Sequence, residues 1–243
     1  MGRFDELKHK AWEANLALPK HGLVLFTFGN ASALDRNAGI FAIKPSGIPY
    51  DRLRVEDMVV VDLDCKVVEG AMRFSSDTKT HAVLYRAFTE IGGVVHTHSP
   101  YCTAWAQAEK PIPILGTTHA DHAAGDIPCT EVMSDSAIRR DYEEETGRQI
   151  LRVFRKRPYL ETEMVLVARH GPFTWGKTPG KAVFNSVIME ELAKMAFLTL
   201  QIRPGTPRLK RTLIQKHYLR KHGKNATYGQ TDADAAGETA ERA

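Results

Sequence analysis

The first regular pattern in the chain is helical. Phe4, Leu7, Ala11, Ala14 and Leu18 recur at spacings of three and four, which predicts a helix to about Pro19. Short apolar runs follow. Residues 24–28 predict a strand closed by a turn at Gly29-Asn30, residues 41–43 a second strand stopped by Pro45-Ser46-Gly47, and residues 58–63 a third. After Ser76-Asp77 the placement of Ala82, Leu84, Tyr85 and Phe88 predicts a helix. Residues 93–98 read as a strand rich in β-branched side chains, and Ser99-Pro100 as the start of another helix. Residues 112–115 and 164–168 are further strand candidates. Thr178-Pro179 opens a long helix carrying Val183, Val187, Ile188, Leu192, Met195 and Leu198, and a last helix spans about 206–222. No repeat or linker interrupts this pattern, so residues 1–230 read as one domain. Residues 231–243 are small, polar and acidic, and read as a disordered tail. Strands interspersed with helices predict an α/β fold, a sheet covered on both faces by helices. Hairpin-length links among the early strands make the sheet not wholly parallel.

Composition narrows the class. The 243 residues are 43% apolar and 26% charged, which suits a folded core and excludes wholesale disorder. No apolar run approaches the ~18 residues of a membrane span, and the first residues lack the apolar stretch of a signal peptide. Three scattered cysteines make no disulfide framework, which points to a reducing compartment, the cytoplasm. The formal charge of +4 conceals a basic run over 203–224 and the acidic tail. The basic run carries no nucleic-acid-binding motif, so nucleic acid is not the expected partner. A positive body suits a phosphorylated metabolite. The anomaly is ten histidines against three cysteines.

His96-Thr97-His98 ends an apolar strand, where residues two apart share a face. Two adjacent imidazoles suit a divalent metal such as zinc, although two solvated side chains at a strand end are the simpler reading of the pair alone. His170, before Gly171-Pro172, ends a second strand and could complete an open three-histidine site. Asp77 is a further ligand candidate that competes with a role as helix N-cap. The polar turns Gly29-Asn30, Lys44-Pro45-Ser46-Gly47 and Ser75-Ser76 offer N–H groups and hydroxyls to an oxyanion, with a helix N-terminus after Ser76. His119, Asp121 and His122 cluster in a polar loop where an acid, a base or a ligand could sit. His217, Tyr218, His222 and Tyr228 form a late group.

Taken together, these residues resemble the class II aldolase and epimerase family. The similar stretches are residues 13–21, 29–32, 43–47, 75–78, 95–98, 116–121, 142–147, 170–173 with 175–177, and 216–222 ending at 228–230. The resemblance implies a three-layer α/β/α sandwich with a mostly antiparallel central sheet, and a homotetramer with active sites between subunits. It implies Zn2+ (Mn2+ or Co2+ being chemically acceptable) held by His96, His98 and His170, with Asp77 as fourth metal-site residue. Substrate phosphate would lie against Gly29, Asn30, Ser46, Gly47, Ser75 and Ser76, with Lys44 nearby. Asp at position 77, where the aldolases carry Glu as acid/base, resembles the 4-epimerase branch, whose acid/base pair would be Asp121 and Tyr228. The implied activity is interconversion of L-ribulose 5-phosphate and D-xylulose 5-phosphate by C–C cleavage and re-formation. The alternatives are a fuculose- or rhamnulose-phosphate type aldolase and a non-catalytic binding member. Thr117, Glu143 and His217 are supports of unranked role.

Overall fold

The computed structural model describes residues 2–223 and 226. The expected tail at 231–243 and Tyr228 lie outside the described residues. Helix α1 (Asp5–Lys20) leads into strands β1 (Asn30–Asp35), β2 (Ile40–Ile43), β3 (Val59–Asp62) and β4 (Val67–Glu69). Then come α2 (Thr78–Ala87), β5 (Gly93–His96), α3 (Pro100–Gln107), α4 (Thr117–Ala120) and α5 (Asp135–Phe154). Strands β6 (Met164–Val167) and β7 (Gly171–Gly176) precede α6 (Pro179–Ile202) and α7 (Arg211–His222). The strands form one sheet in the order β4-β3-β2-β1-β5-β7-β6, and every neighbouring pair is antiparallel. The α/β class with an antiparallel sheet is as the sequence led us to expect.

Alternation along the strands divides the core. Phe41, Ile43, Val59, Val61, Val94, Val165, Val167, Phe173 and Trp175 face α2 and α5, where Leu84, Tyr85, Ile150 and Phe154 meet them. Their neighbours Ala31, Ala33, Ala42, Val60 and Val95 face α1 and α6. The sheet is thus a middle layer buried on both sides, which explains its continuous apolar runs. Gly93 allows α6 to close on β5: a Cβ there would lie 2.4 Å from Pro179 Cα.

Several expected elements change. Residues 24–28 form no strand. Phe28 N–H donates to the Leu25 carbonyl, Phe26 turns the chain at φ 52°, and Leu25 and Phe26 are exposed. Residues 112–115 make one isolated bridge, Ile112 to Ile127, because Pro111 and Pro113 remove the donors a ladder needs. Gly171-Pro172 opens β7 rather than merely turning the chain, and β5 stops at His96. The last helix begins at Arg211, after irregular residues 206–210. The 117–121 segment is not a loop: Thr117–Ala120 forms the short α4, with Asp121 as its C-cap. Strand β1 escaped the pattern because its residues are small, and α5 because it is dense in charge and interrupted at Asp141.

Gly93→Ala should destabilise the fold by about 1–3 kcal/mol through overpacking against backbone. A lowered urea midpoint at unchanged slope is the expected measurement.

Candidate active site

Three neighbouring strands converge on one end of the sheet. In β1, Asn30 is paired with His96 of β5, which is paired with Phe173 of β7, so these side chains share the α2 face. Gly29, just before β1, has φ 74°, and a Cβ there would lie 2.8 Å from the His96 carbonyl oxygen. Only glycine lets the chain enter the strand this close to the histidine. His98 follows His96 in extended chain, and His170 ends the β6–β7 connection.

The three imidazoles meet. Their ligand atoms lie within 4.8 Å of one another, and His96 Nε2 stands 3.1 Å from His98 Nε2. His96 Nδ1–H donates to the Pro172 carbonyl at 3.0 Å, so its Nε2 lone pair is turned to its partners. Two nitrogens bound to one zinc at about 2.0–2.1 Å stand roughly 3.3 Å apart, close to the spacing seen. Burial, and the neighbouring His96 and His98, hold His170 well below the ordinary imidazole pKa. Burial lowers His98 too. Neutral imidazoles are the form a metal takes, and the donor set therefore fits a divalent ion.

Asp77 lies beside the trio and outside that nitrogen cluster. Its Oδ2 accepts from Asn30 Nδ2 at 2.7 Å. Burial works to raise its carboxyl, but His96, His81, His170 and the Asn30 amide outweigh it and keep the pKa low. Asp77 occupies the N-cap position of α2 and makes no side-chain capping bond, so the expected competition with capping is settled against the cap.

The polar turns are drawn together by a single bridge, Pro45 to Phe74. Ser75 N–H donates to the Lys44 carbonyl and Ser46 N–H to the Arg73 carbonyl. Gly29, Asn30, Lys44, Ser46, Gly47, Ser75, Ser76, Asp77, His96, His98 and His170 consequently line one cavity of about 300 Å³, with Thr27, Phe28 and Pro45. Lys44 is 1% exposed, its Nζ 4.9 Å from the Tyr50 ring centroid and 3.4 Å from the Pro45 carbonyl. Burial pulls its pKa down to about 8. Among the described residues Lys44 makes no hydrogen bond to a carboxylate, and this buried cation lines a cavity that also receives the α2 N-terminus. That is the electrostatics of an oxyanion cradle.

Asp121 stands apart from this cavity. Its Oδ1 accepts from His217 Nδ1 at 3.0 Å, and Arg220 Nη2 reaches both carboxylate oxygens at 3.0 Å. Burial opposes ionisation there, but Arg220, His217 and Lys221 keep the pKa lowered. His119 is buried against a different groove, lined also by Leu115, Leu192 and Met195, and His122 packs on Phe184. Neither joins the trio. Thr117 is the first residue of α4, and the Glu143 carbonyl accepts from Thr80 Oγ1. Sequence reasoning missed two aromatic walls, Phe28 and Tyr142, whose rings lie 6.1 Å from His98 and 5.8 Å from His170. Tyr142 belongs to one of the similar stretches, but no local pattern joins it to a histidine 28 residues away.

Comparisons with known proteins give the family and the fold. The family model described as Class II Aldolase and Adducin N-terminal domain matches residues 9–197. The chain is 52% identical over 226 residues to an L-ribulose-5-phosphate 4-epimerase, UlaF, of Salmonella paratyphi A, covering 93% of this chain and 99% of that one. The homologous protein of Salmonella typhi matches equally. Among solved structures, an L-fuculose 1-phosphate aldolase superposes with TM-score 0.74 at 23% identity, covering 87% of this chain and 94% of its own. The same aldolase from Glaciozyma antarctica PI12 gives 0.72 at 18%, covering 91% and 84%. At these identities the structures speak for the fold.

Two buried histidines set a pH dependence. Burial lowers His81 from 6.5 to about 3 and His119 from 6.5 to about 4. The unfolded chain therefore takes up these protons first as pH falls. Metal-free protein should lose stability progressively from about pH 6.5 toward 4, by up to about 1.4 kcal/mol per pH unit for each histidine. Urea unfolding at pH 7, 6 and 5 measures it; a flat profile would contradict the buried neutral state.

Proposed function

The chain belongs to the class II aldolase and adducin N-terminal domain family, and from that membership and the geometry of the cavity we propose that it interconverts L-ribulose 5-phosphate and D-xylulose 5-phosphate. The observation that carries the reading is the joining of the three-histidine centre and the Lys44 cradle in one small cavity, in a chain 52% identical to an enzyme so named. Three free cysteines among the described residues suit a reducing compartment, the cytoplasm. Among the described residues no helix is long and apolar enough to cross a membrane.

The phosphate lies against Ser46, Gly47, Ser75 and Ser76, with Lys44 and the α2 N-terminus balancing its charge. Gly29 and Asn30 close the cradle on the β1 side. His96, His98 and His170 hold the metal, zinc being the reading the all-nitrogen set favours, with Asp77 as an adjoining carboxylate. When bound, the metal would supply Lewis acidity that stabilises negative charge developing on the substrate. Inversion at C4 cannot proceed by simple deprotonation, because the C4 hydrogen is not beside the carbonyl. The C3–C4 bond breaks, the aldehyde fragment turns its other face, and the bond re-forms. Each face needs its own proton acceptor and donor at the C4 oxygen. Asp121 serves one face. His217 and Arg220 hold it ionised and oriented. Tyr228, outside the described residues, is assigned the other from the family resemblance.

Because Asp121 lies outside the cavity of its own chain, it serves the cavity of a neighbouring subunit. Exposed apolar side chains support an assembly, the homotetramer implied by the resemblance. Leu25, Phe26 and Phe28 stand out at 67%, 82% and 54% exposure beside the cavity mouth, and Phe197, Leu198 and Ile202 line the outer side of α6.

NMR of the protein with L-ribulose 5-phosphate should show D-xylulose 5-phosphate accumulating. Accumulation of glycolaldehyde phosphate instead would favour the aldolase. His96→Asn should lose both metal and turnover, and Asp121→Asn should lower kcat on the order of 10²–10⁴-fold with metal retained. Subunits carrying the two defects separately, when co-expressed, should recover turnover. Inactive mixed oligomers would contradict the shared site.

A further inference from the structure

A buried polar row behind Asp77 is used by neither the trio nor the cradle. Asp77, His81 and Tyr85 are spaced by four along the first turns of α2, so they share its sheet-facing side. On β1 below, Asn30 and Ser32 are two apart and share the face toward the helix. His81, Tyr85 and Ser32 are fully buried. Ser32 Oγ lies 2.7 Å from His81 Nδ1 and 2.7 Å from the Tyr85 hydroxyl. One step up the same two elements, Asn30 Nδ2 holds Asp77 Oδ2.

Counting protons fixes the direction of this chain. Burial pushes the Tyr85 pKa well up, so the phenol keeps its proton. Ser32 Oγ is the acceptor within reach of that proton. The single Ser32 proton is then free to go only to His81 Nδ1. An imidazole bound in this way carries its own proton on Nε2. His81 Nε2 is buried and has no hydrogen-bond partner among the described residues. The groups acting on His81 are the Asp77 carboxylate and His96. Of these, Asp77 is the anion, one helical turn away on the same face.

We propose that His81 is a positioning residue of the active site: the Tyr85–Ser32–His81 chain fixes its Nε2–H tautomer and directs that N–H toward the Asp77 carboxylate, which it orients beside the three histidines. The buried row then has a purpose beyond packing. A core position filled by Phe or Leu would bury as much apolar area, but it could not hold a carboxylate on its far side. His81 acts as a neutral dipole, so it orients Asp77 without competing with the trio for a metal's charge.

Two measurements test this. The first is long-range 1H–15N correlation on 15N-histidine-labelled, metal-free protein. It should report His81 as the Nε2–H tautomer, and Tyr85→Phe, which keeps the volume and removes the first proton, should shift the tautomer balance. An Nδ1–H tautomer in the parent protein overturns the proposal. The second is Co2+ titration of the metal-stripped protein, read from its visible spectrum, with kcat and KM measured alongside. His81→Phe should bind Co2+ about 10–100-fold more weakly and lower kcat with KM little changed. His81→Gln, whose amide N–H can reach toward the ε position, should recover much of the loss. Unchanged Co2+ affinity in His81→Phe, or equal defects in Phe and Gln variants of normal thermal stability, overturns it. If His81→Phe does not fold, the Gln variant and the Tyr85→Phe tautomer shift carry the decision. The Co2+ arm rests on the proposed reading of the trio as a metal site, while the tautomer arm does not, so the two ideas fail separately.

Discussion

The site depends on the antiparallel register that locks β1, β5 and β7 together. Asn30 opposite His96, and His96 opposite Phe173, put a carboxamide, an imidazole and a ring on the face toward α2. Strand side chains alternate, so a slip of one residue would turn His96 toward α1 and α6 and present Val95 or Thr97 in its place. The register is held at both flanks by close backbone approach. Gly29 passes within contact of the His96 carbonyl, and a Cβ on Gly171 would lie 2.8 Å from the Thr97 carbonyl oxygen. His98 and His170 then need little further guidance, because each leaves the sheet beside the histidine already placed.

Charge is separated along the cavity by the same framework. Lys44 leaves β2 at the edge where the chain turns at Ser46-Gly47, and Pro45 bridges to Phe74, which brings the α2 N-terminus alongside. The cation is trapped against the Tyr50 ring, while Asp77 is held by Asn30. A buried amine whose pKa has fallen to about 8 gains from any anion that restores its charge. The positive end of the cavity therefore favours a phosphate, and the histidine end, with its neutral nitrogens and one held carboxylate, favours a cation. A substrate that carries a phosphate at one end and adjoining oxygen donors at the other meets both requirements at once.

How much of this was legible varied with the kind of signal. Strands β2, β3, β5 and β6 announced themselves as apolar runs, and α6 by its Thr178-Pro179 start, where the Thr178 side chain does accept from Lys181 N–H. The residues of the cavity were legible as motifs, and the three polar turns, Asp77 and the three histidines named from sequence all line it. What stayed hidden has physical causes. Residues 24–28 look like a strand because they are apolar, but an apolar loop looks the same when its side chains point outward. Strand β1 carries the register on small residues with no hydrophobic signature. The Ser32–His81–Tyr85 chain joins positions 49 and 53 apart, and no local spacing predicts a contact made by sheet and helix packing.

The identity of residue 77 connects the geometry to the chemistry. A carboxylate whose Oδ2 is held by the Asn30 amide, with the three histidines alongside, has little freedom to move toward a substrate. Glu, one methylene longer, would carry its oxygens past the Asn30 amide and into the cavity, free to exchange a proton with substrate. Asp at this position gives up that mobility and becomes a fixed charge beside the trio. On the proposed reading, proton transfer is then supplied from outside the cavity's own walls. Asp121, the carboxylate proposed for that task, sits at a helix C-cap, aligned by His217 and gripped by Arg220 on α7, an element separate from the sheet. On the proposed reading, a short carboxylate beside the histidines goes with acid/base work on a second carboxylate. That division of labour separates a reaction needing a proton relay on each face of an aldehyde from one that needs a single mobile acid.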